Sequence, residues 1–252
     1  MTNVTPSMPT AEIGFLPELE FSYTEAMNSL ATNLSFCGDH LHTLLITSRY
    51  AYEGKSFVSM NLMRTLASLG KRVVLLDADL RRSKMMSLYR IRFSTERNMG
   101  LAHYLAGMCE MQDIVYETNL PNAYLIPIGR EVGSSLQLLS SKRLPELIER
   151  LRASFDMVLV DTPPAGMIVD ALEIAKHCDG TLMVVRYNRG RKQDLVELVE
   201  SINKTGCPVI GNVLNQVDFR SFTSRTHYYR SERYSSYYKR GYGLYTVNKK
   251  KK

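Results

Sequence analysis

Three short segments of this chain carry side chains that can manage phosphate and a divalent cation. Residues 44–56 read LLITSRYAYEGKS, an apolar run that passes through a loop into Gly54-Lys55-Ser56. A helix opening there presents backbone N–H groups and the positive end of its dipole to phosphate oxygens. The lysine reaches β and γ oxygens, and the serine hydroxyl suits Mg²⁺. The strict phosphate-loop pattern asks for glycine six residues before the lysine, where this chain has Arg49.

Two acidic segments come next. Asp77-Ala78-Asp79 ends the apolar run 73–76, and alternate residues of an extended segment face one way, so the two carboxylates share a side. Carboxylates held together repel unless a cation joins them, and Mg²⁺ with phosphates is such a cation. Asp161-Thr162-Pro163-Pro164 ends the run 157–160, and an aspartate there suits the water-mediated holding of Mg²⁺. A solvated turn explains either segment alone. It does not explain three carboxylates at the ends of separate strands beside one phosphate loop.

A fourth feature names a destination for phosphate. Seven of the last 33 residues are tyrosines, Tyr228, Tyr229, Tyr234, Tyr237, Tyr238, Tyr242 and Tyr245, set among Ser, Gly and basic residues and followed by Lys249 to Lys252. From Arg220 onward ten Lys/Arg face Glu232 alone, a net of +9, whereas residues 1–219 hold 22 basic and 24 acidic residues, a net of −2. The basicity of the protein, +7 in all, is therefore a property of its end. Such a segment can touch nucleic acid, anionic lipid or an acidic partner. No helix-turn-helix, zinc-finger or RNA-recognition pattern accompanies it, so nucleic acid is not an expected partner.

The elements that must position these groups are read from apolar periodicity. Residues 1–21 read as an extended lead-in and 23–36 as a helix. Strands are predicted at 44–46, 73–76, 125–128, 157–160, 181–185 and 209–214, with helices at about 55–69, 99–107, 141–153, 168–177 and 191–204. Alternating apolar strands and helices predict an α/β fold: a P-loop NTPase-like, mostly parallel sheet with helices on both faces. Ligands of such sheets bind beyond the carboxyl ends of the strands, where the three motifs fall. Periodicity stops after Asp218, so the expected organisation is a lead-in (1–21), one domain (22–219) and a flexible tail (220–252). At 252 residues and 44% hydrophobic, the chain can bury one substantial core. Cys37, Cys109, Cys178 and Cys207 show no Cys-x-x-Cys spacing and read as reduced cytosolic thiols. Neither a signal-peptide pattern nor an apolar run near the roughly 20 residues of a membrane span is present, so a soluble chain is expected.

SRYAYEGKS (48–56), LLDADLRR (75–82), VLVDTPP (158–164) and the tyrosine tail together resemble the bacterial tyrosine kinases of capsule and exopolysaccharide synthesis, in their soluble form. The similarity extends over about 23–252 through Gly100-Leu101, Val169-Asp170-Ala171, Val184-Val185-Arg186 and Val213-Leu214-Asn215. The resemblance implies transfer of phosphate from ATP to the tail tyrosines, between neighbouring molecules. It implies that Lys55 and the loop Tyr52, Glu53, Gly54, Ser56 and Phe57 hold the nucleotide, with Asn215 near its base. Ser56, Asp79 and Asp161 are then the Mg²⁺ holders, and Asp77 is the candidate to orient and deprotonate the incoming hydroxyl, with the division between Asp77 and Asp79 open. Arg81 and Arg82 fit charge stabilisation or a surface ion pair equally. Implied partners are a membrane adaptor of the chain-length-determinant type, a second copy of the chain and a cognate tyrosine phosphatase. The implied location is cytoplasmic, at the inner face of the membrane through the adaptor.

The chain departs from that family in places. Ala51, Tyr52 and Phe57 replace its Pro, first Gly and Thr, and Tyr52 is expected to resist the positive φ a glycine adopts freely. Glu25 remains of an early Glu-x-x-Arg-x-x-Arg, but Asn28 and Ala31 replace its arginines, and a Pro-Pro-Asn-Pro stretch is missing from 130–135. Two other readings stay open: a catalytically weak nucleotide-binding partner of a membrane polysaccharide co-polymerase, and a MinD/ParA-type ATPase. The latter carries a signature lysine five residues before the loop lysine, where this chain has Tyr50.

Overall fold

A computed structural model of the protein describes residues 8–95 and 98–217. The seven tail tyrosines and the predicted tail 220–252 lie outside them. Residues up to Asn215 form one compact unit; of the second, from Gln216 on, Gln216 and Val217 are described.

Among the described residues nine strands make one sheet. In chain order they are β1 (Thr10–Ile13), β2 (Thr43–Ser48), β3 (Val73–Asp77), β4 (Ile91–Phe93), β5 (Tyr116–Thr118), β6 (Ala123–Ile126), β7 (Met157–Asp161), β8 (Gly180–Arg186) and β9 (Val209–Asn215). Their spatial order is β4-β1-β5-β6-β3-β7-β2-β8-β9. From β6 to β9 every pairing is parallel; β1–β4 and β5–β6 are antiparallel. The helices are α1 (Phe21–Ser35), α2 (Lys55–Ser68), α3 (Met85–Leu88), α4 (Leu101–Leu105), α5 (Ser135–Leu139), α6 (Arg143–Ser154), α7 (Asp170–Ala175) and α8 (Lys192–Asn203).

Strand alternation builds a core on each face. Leu45, Val74, Leu76, Val158 and Val160 pack with α4, α6 and α7, while Leu44, Ile46, Val73, Leu75 and Leu159 pack with α1 and α2. Such strands are apolar on both sides, which is why they read as continuous runs rather than as alternating patterns. α6 shows the matching helical stripe: Leu144, Leu147, Ile148 and Leu151 are fully buried, at the i, i+3, i+4, i+7 spacing of one face. α2 stops at Gly70, whose φ of 86° lets Lys71 N–H reach back to the Leu66 carbonyl (3.2 Å).

The lead-in read for 1–21 contains β1, which joins the sheet between β4 and β5. β4, β5 and the short α3 and α5 were not expected from the sequence. They are three to five residues long, too short for periodicity to register.

Candidate active site

The central strands end together, and the site is assembled from the loops and helix starts at their carboxyl ends. β2, buried at every residue, runs into a loop that opens α2 at Lys55. The loop turns through two left-handed residues, Tyr52 (φ 64°) and Gly54 (φ 90°). Gly54 takes that conformation without strain. Tyr52 takes it at a cost of about 1–2 kcal/mol and leaves its ring 81% exposed.

Hydrogen bonds from distant elements hold the loop in shape. The Glu53 side chain, 1% exposed, accepts from Tyr50 N–H (2.8 Å) and from Arg186 N–H at the end of β8 (3.2 Å). Asn215, at the end of β9, donates its amide to the Glu53 carbonyl (2.9 Å), and Arg189 donates to the Ala51 carbonyl (2.9 Å). Tyr50 donates its hydroxyl to Asp194 (2.8 Å) beneath the Arg49 and Arg189 guanidiniums. Arg49 fits where the strict pattern has glycine because Gly166 faces it. A Cβ on Gly166 would stand 2.4 Å from Arg49 Cδ and 2.5 Å from the Arg49 carbonyl oxygen.

β3 and β7 are neighbours whose register sets Asp77 opposite Asp161, and both are buried, at 1% and 2% exposure. Ser56 donates to Asp161 Oδ2 (2.6 Å) and Ser59 to Oδ1 (3.0 Å). Asp77 accepts from the Ser83 hydroxyl and from Asp79 N–H (3.3 Å). Asp79 is half-buried and accepts from Arg82 N–H (3.1 Å). Burial pushes Asp161 up to about 6, against the pull of Lys55, Ser56 and Ser59. Burial, with Asp161 beside it, lifts Asp77 well above the usual carboxylate range. Lys55 is drawn down by its own burial, while Asp161, Asp79 and Glu53 oppose that shift.

Buried acids that hold protons so tightly lack positive charge, and a cation with phosphates supplies it. Among the described residues no group of three or more His, Cys, Asp or Glu is disposed to hold a metal ion by itself. Mg²⁺ is satisfied by one or two carboxylates when phosphates complete its shell, and Ser56 already bonded to Asp161 is a donor set of that kind.

The residues predicted from sequence thus divide. Lys55, Ser56, Asp77, Asp79 and Asp161 gather at one strand-end cluster. The side chains of Glu53 and Asn215 face the loop's support, and the Phe57 ring packs edge-on against Tyr23 of α1, 6.0 Å between centroids. Arg81 makes the ion pair: Nε and a terminal nitrogen donate to Asp170 at 2.8 and 3.0 Å, and Ser135 donates to the same carboxylate. The sequence reading missed Ser59, Ser83, Asp170 and Tyr89, whose hydroxyl donates to the Ser56 carbonyl (3.2 Å). Asp170 alone left a signal, an acid opening an apolar helix. Burial favours a raised Asp170 pKa, but Arg81 and Ser135 outweigh it and hold the carboxyl below its usual range. Its stabilisation is present above the unfolded carboxylate pKa of about 3.9 and is lost as pH falls through the lower folded value. Asp170→Asn is therefore expected to lower the melting temperature at pH 7, and the deficit to shrink below pH 4 in a thermal-melt series.

Residues 52–206 match a family described as an AAA domain. Tyrosine-protein kinase CpsD of Streptococcus pneumoniae serotype 4 is 33% identical over 213 residues, covering 84% of this chain and 92% of that protein. CpsD of Streptococcus agalactiae serotype III is 34% identical over 194 residues, 77% and 82% of the two chains. The chain belongs to the bacterial tyrosine-protein kinases. The kinase domain of Escherichia coli tyrosine kinase ETK superposes with a TM-score of 0.73 at 28% identity, over 79% of this chain and 77% of that one. The septum site-determining protein MinD from Pyrococcus horikoshii shares the P-loop NTPase-like fold at a TM-score of 0.62 and 25% identity, over 72% of each chain. Tyr50, where the MinD/ParA-type reading expects a lysine, is bonded through its hydroxyl to Asp194.

Proposed function

We propose that the chain is an ATP-dependent protein-tyrosine kinase that phosphorylates its own C-terminal cluster, Tyr228 to Tyr245, and thereby regulates capsular or exopolysaccharide synthesis and export. The observation that carries this reading is the convergence of Lys55, Ser56, Asp79 and the Asp77–Asp161 pair at one phosphate loop, in a chain of this family. Backbone N–H groups of residues 52–56 and the Lys55 ammonium bind the nucleotide phosphates. Ser56, Asp79 and Asp161 would hold Mg²⁺, directly or through water, and the ion would supply positive charge to the nucleotide phosphates. The MinD relative from P. horikoshii, which is complexed with Mg-ADP, supports this choice of ligands.

Asp77 orients the acceptor hydroxyl and takes its proton. A tyrosine hydroxyl has an unperturbed pKa of about 10, and Asp77 can take its proton only as the carboxylate, the form that a bound cation favours. The transition state of phosphoryl transfer is loose, and positioning with charge stabilisation carries most of the catalysis.

The acceptor comes from a second copy. Were the 33 residues from 220 on the coil that their composition predicts, they would span roughly 30 Å, enough to reach a neighbour's site. Each phosphate adds about −1.5 to −2 charge, so five or six cancel the tail's +9 and release it from an acidic or lipid surface. A membrane adaptor of the chain-length-determinant type places the chain at the inner face of the cell membrane; among the described residues no helix is long and apolar enough to cross it. A cognate tyrosine phosphatase resets the tail.

A second reading, a catalytically weak regulatory partner, is favoured by the strained Tyr52 (φ 64°) and by a Phe57 ring turned to α1. ATP labelled in its terminal phosphate separates the readings. Label on tyrosine, raised by an adaptor fragment, is the expected result. Free phosphate alone indicates a MinD-type ATPase, and bound ATP without turnover indicates the regulatory partner.

A further inference from the structure

We propose that Tyr52 is itself a phosphoacceptor, modified by a second copy of this chain, and that its phosphate lowers the loop's affinity for nucleotide. The inference rests on the kinase reading above and adds a regulatory site to it. Eight tyrosines precede the tail cluster, and seven of them are buried or half-buried; Tyr52, at 81% exposure, is the exception. Its hydroxyl has no hydrogen-bond partner among the described residues, whereas Tyr50, two residues earlier, is bonded to Asp194 and covered by two guanidiniums.

Tyr52 is also held at a φ of 64°, where glycine would be unstrained, and an exposed ring gains little packing in return. A strained residue at a functional loop that returns no packing energy points to a use for its side chain. Here that side chain is the substrate type of the enzyme's own reaction, three residues before Lys55.

The transfer is intermolecular. Tyr52 belongs to the loop assigned to the phosphates, and its ring, 81% exposed, is open to a second copy. A neighbour's γ-phosphorus bonds to Tyr52 Oη as the bond to the β–γ bridging oxygen breaks. ADP departs, and the phenolic proton passes to the neighbour's Asp77 and then to water. The product carries about −1.5 to −2 charge on the segment that must receive the anionic nucleotide. Arg49 and Lys55, each three residues away, and Arg189, already anchored on the adjacent Ala51 carbonyl (2.9 Å), are the cations nearest in sequence or contact to draw it in. Any such pairing reduces the positive potential left for nucleotide, and the expected loss of affinity is about tenfold or more.

The test mixes wild-type chain and Mg-ATP with a mass-tagged full-length acceptor carrying Lys55→Met and Phe at all seven tail tyrosines. The acceptor is expected to gain one phosphate, mapped to Tyr52, and none when Tyr52→Phe is added. A wild-type tail that labels beside an unlabelled acceptor overturns the proposal while leaving the kinase reading intact, as does label on another tyrosine. If no chain labels, the kinase reading falls and this inference with it. In a seven-Phe tail with Lys55 intact, ATP titration of separated phosphorylated and unmodified fractions should show the weaker binding; equal affinities overturn the regulatory role.

Discussion

Asp77→Asn is expected to raise the melting temperature of the nucleotide-free protein by about 2–6 °C, about 1–2 kcal/mol, while cutting tyrosine phosphorylation by about 10²- to 10⁴-fold. The two effects share one cause. Asp77 and Asp161 face each other across paired strands, both buried, and each holds its proton more tightly than a free carboxyl. Asparagine keeps the shape, can donate to Ser83 Oγ or Asp161, and removes one of two like charges. The sign of the pH dependence is set by the raised pKa values. A carboxyl with a raised folded pKa favours folding below its unfolded value near 4, and that contribution is lost as pH rises through the folded pKa, about 6 for Asp161. The variant's advantage is thus smallest near pH 4 and grows as pH rises toward the raised folded pKa of Asp77. Thermal melts across that range check it; a variant less stable than wild type at pH 8 contradicts the electrostatic account of the pair.

Glu53→Ala is expected to destabilise the protein by about 2–4 kcal/mol and to weaken nucleotide binding. The Glu53 carboxylate is the acceptor for Tyr50 N–H and Arg186 N–H, and an unsatisfied buried donor costs about 1–3 kcal/mol. The same bonds set the curvature of the loop that must present its own N–H groups to phosphate. Glu53→Gln, which keeps one acceptor oxygen but turns an amide toward the other N–H, should fall between. Denaturant unfolding with ATP titration measures both effects. An alanine variant with wild-type stability would mean the loop is shaped by its own turn residues alone.

The central architecture was legible because physics writes it locally. Strands buried on both faces appear as LLITS, VVLL and MVLV, and the aspartate ending β3 or β7 marks where chain leaves core for solvent. Lys55 and Ser56 were legible for the same reason, as the start of a helix fed by a strand. The bracing role of the Glu53 side chain left no local signal, because its partner Arg186 is 133 residues away. Arg49 looked like a lost glycine; the space it needs is provided across the loop by Gly166. β1, β4 and β5 depend on pairing with one another, a tertiary property with no local signature. Ser83 left no trace in the sequence, since a serine after two arginines reads as surface. Tyr52 was expected to resist positive φ and instead adopts it.

This loop and these carboxylates are proposed to deliver phosphate to the chain's own tail. Intact mass and site mapping of the full chain after incubation with Mg-ATP test this most directly. Successive phosphate additions are expected, most of them on Tyr228 to Tyr245, and none in Lys55→Met incubated alone. A wild-type chain that binds ATP yet keeps its unmodified mass, with and without an adaptor fragment, would contradict it.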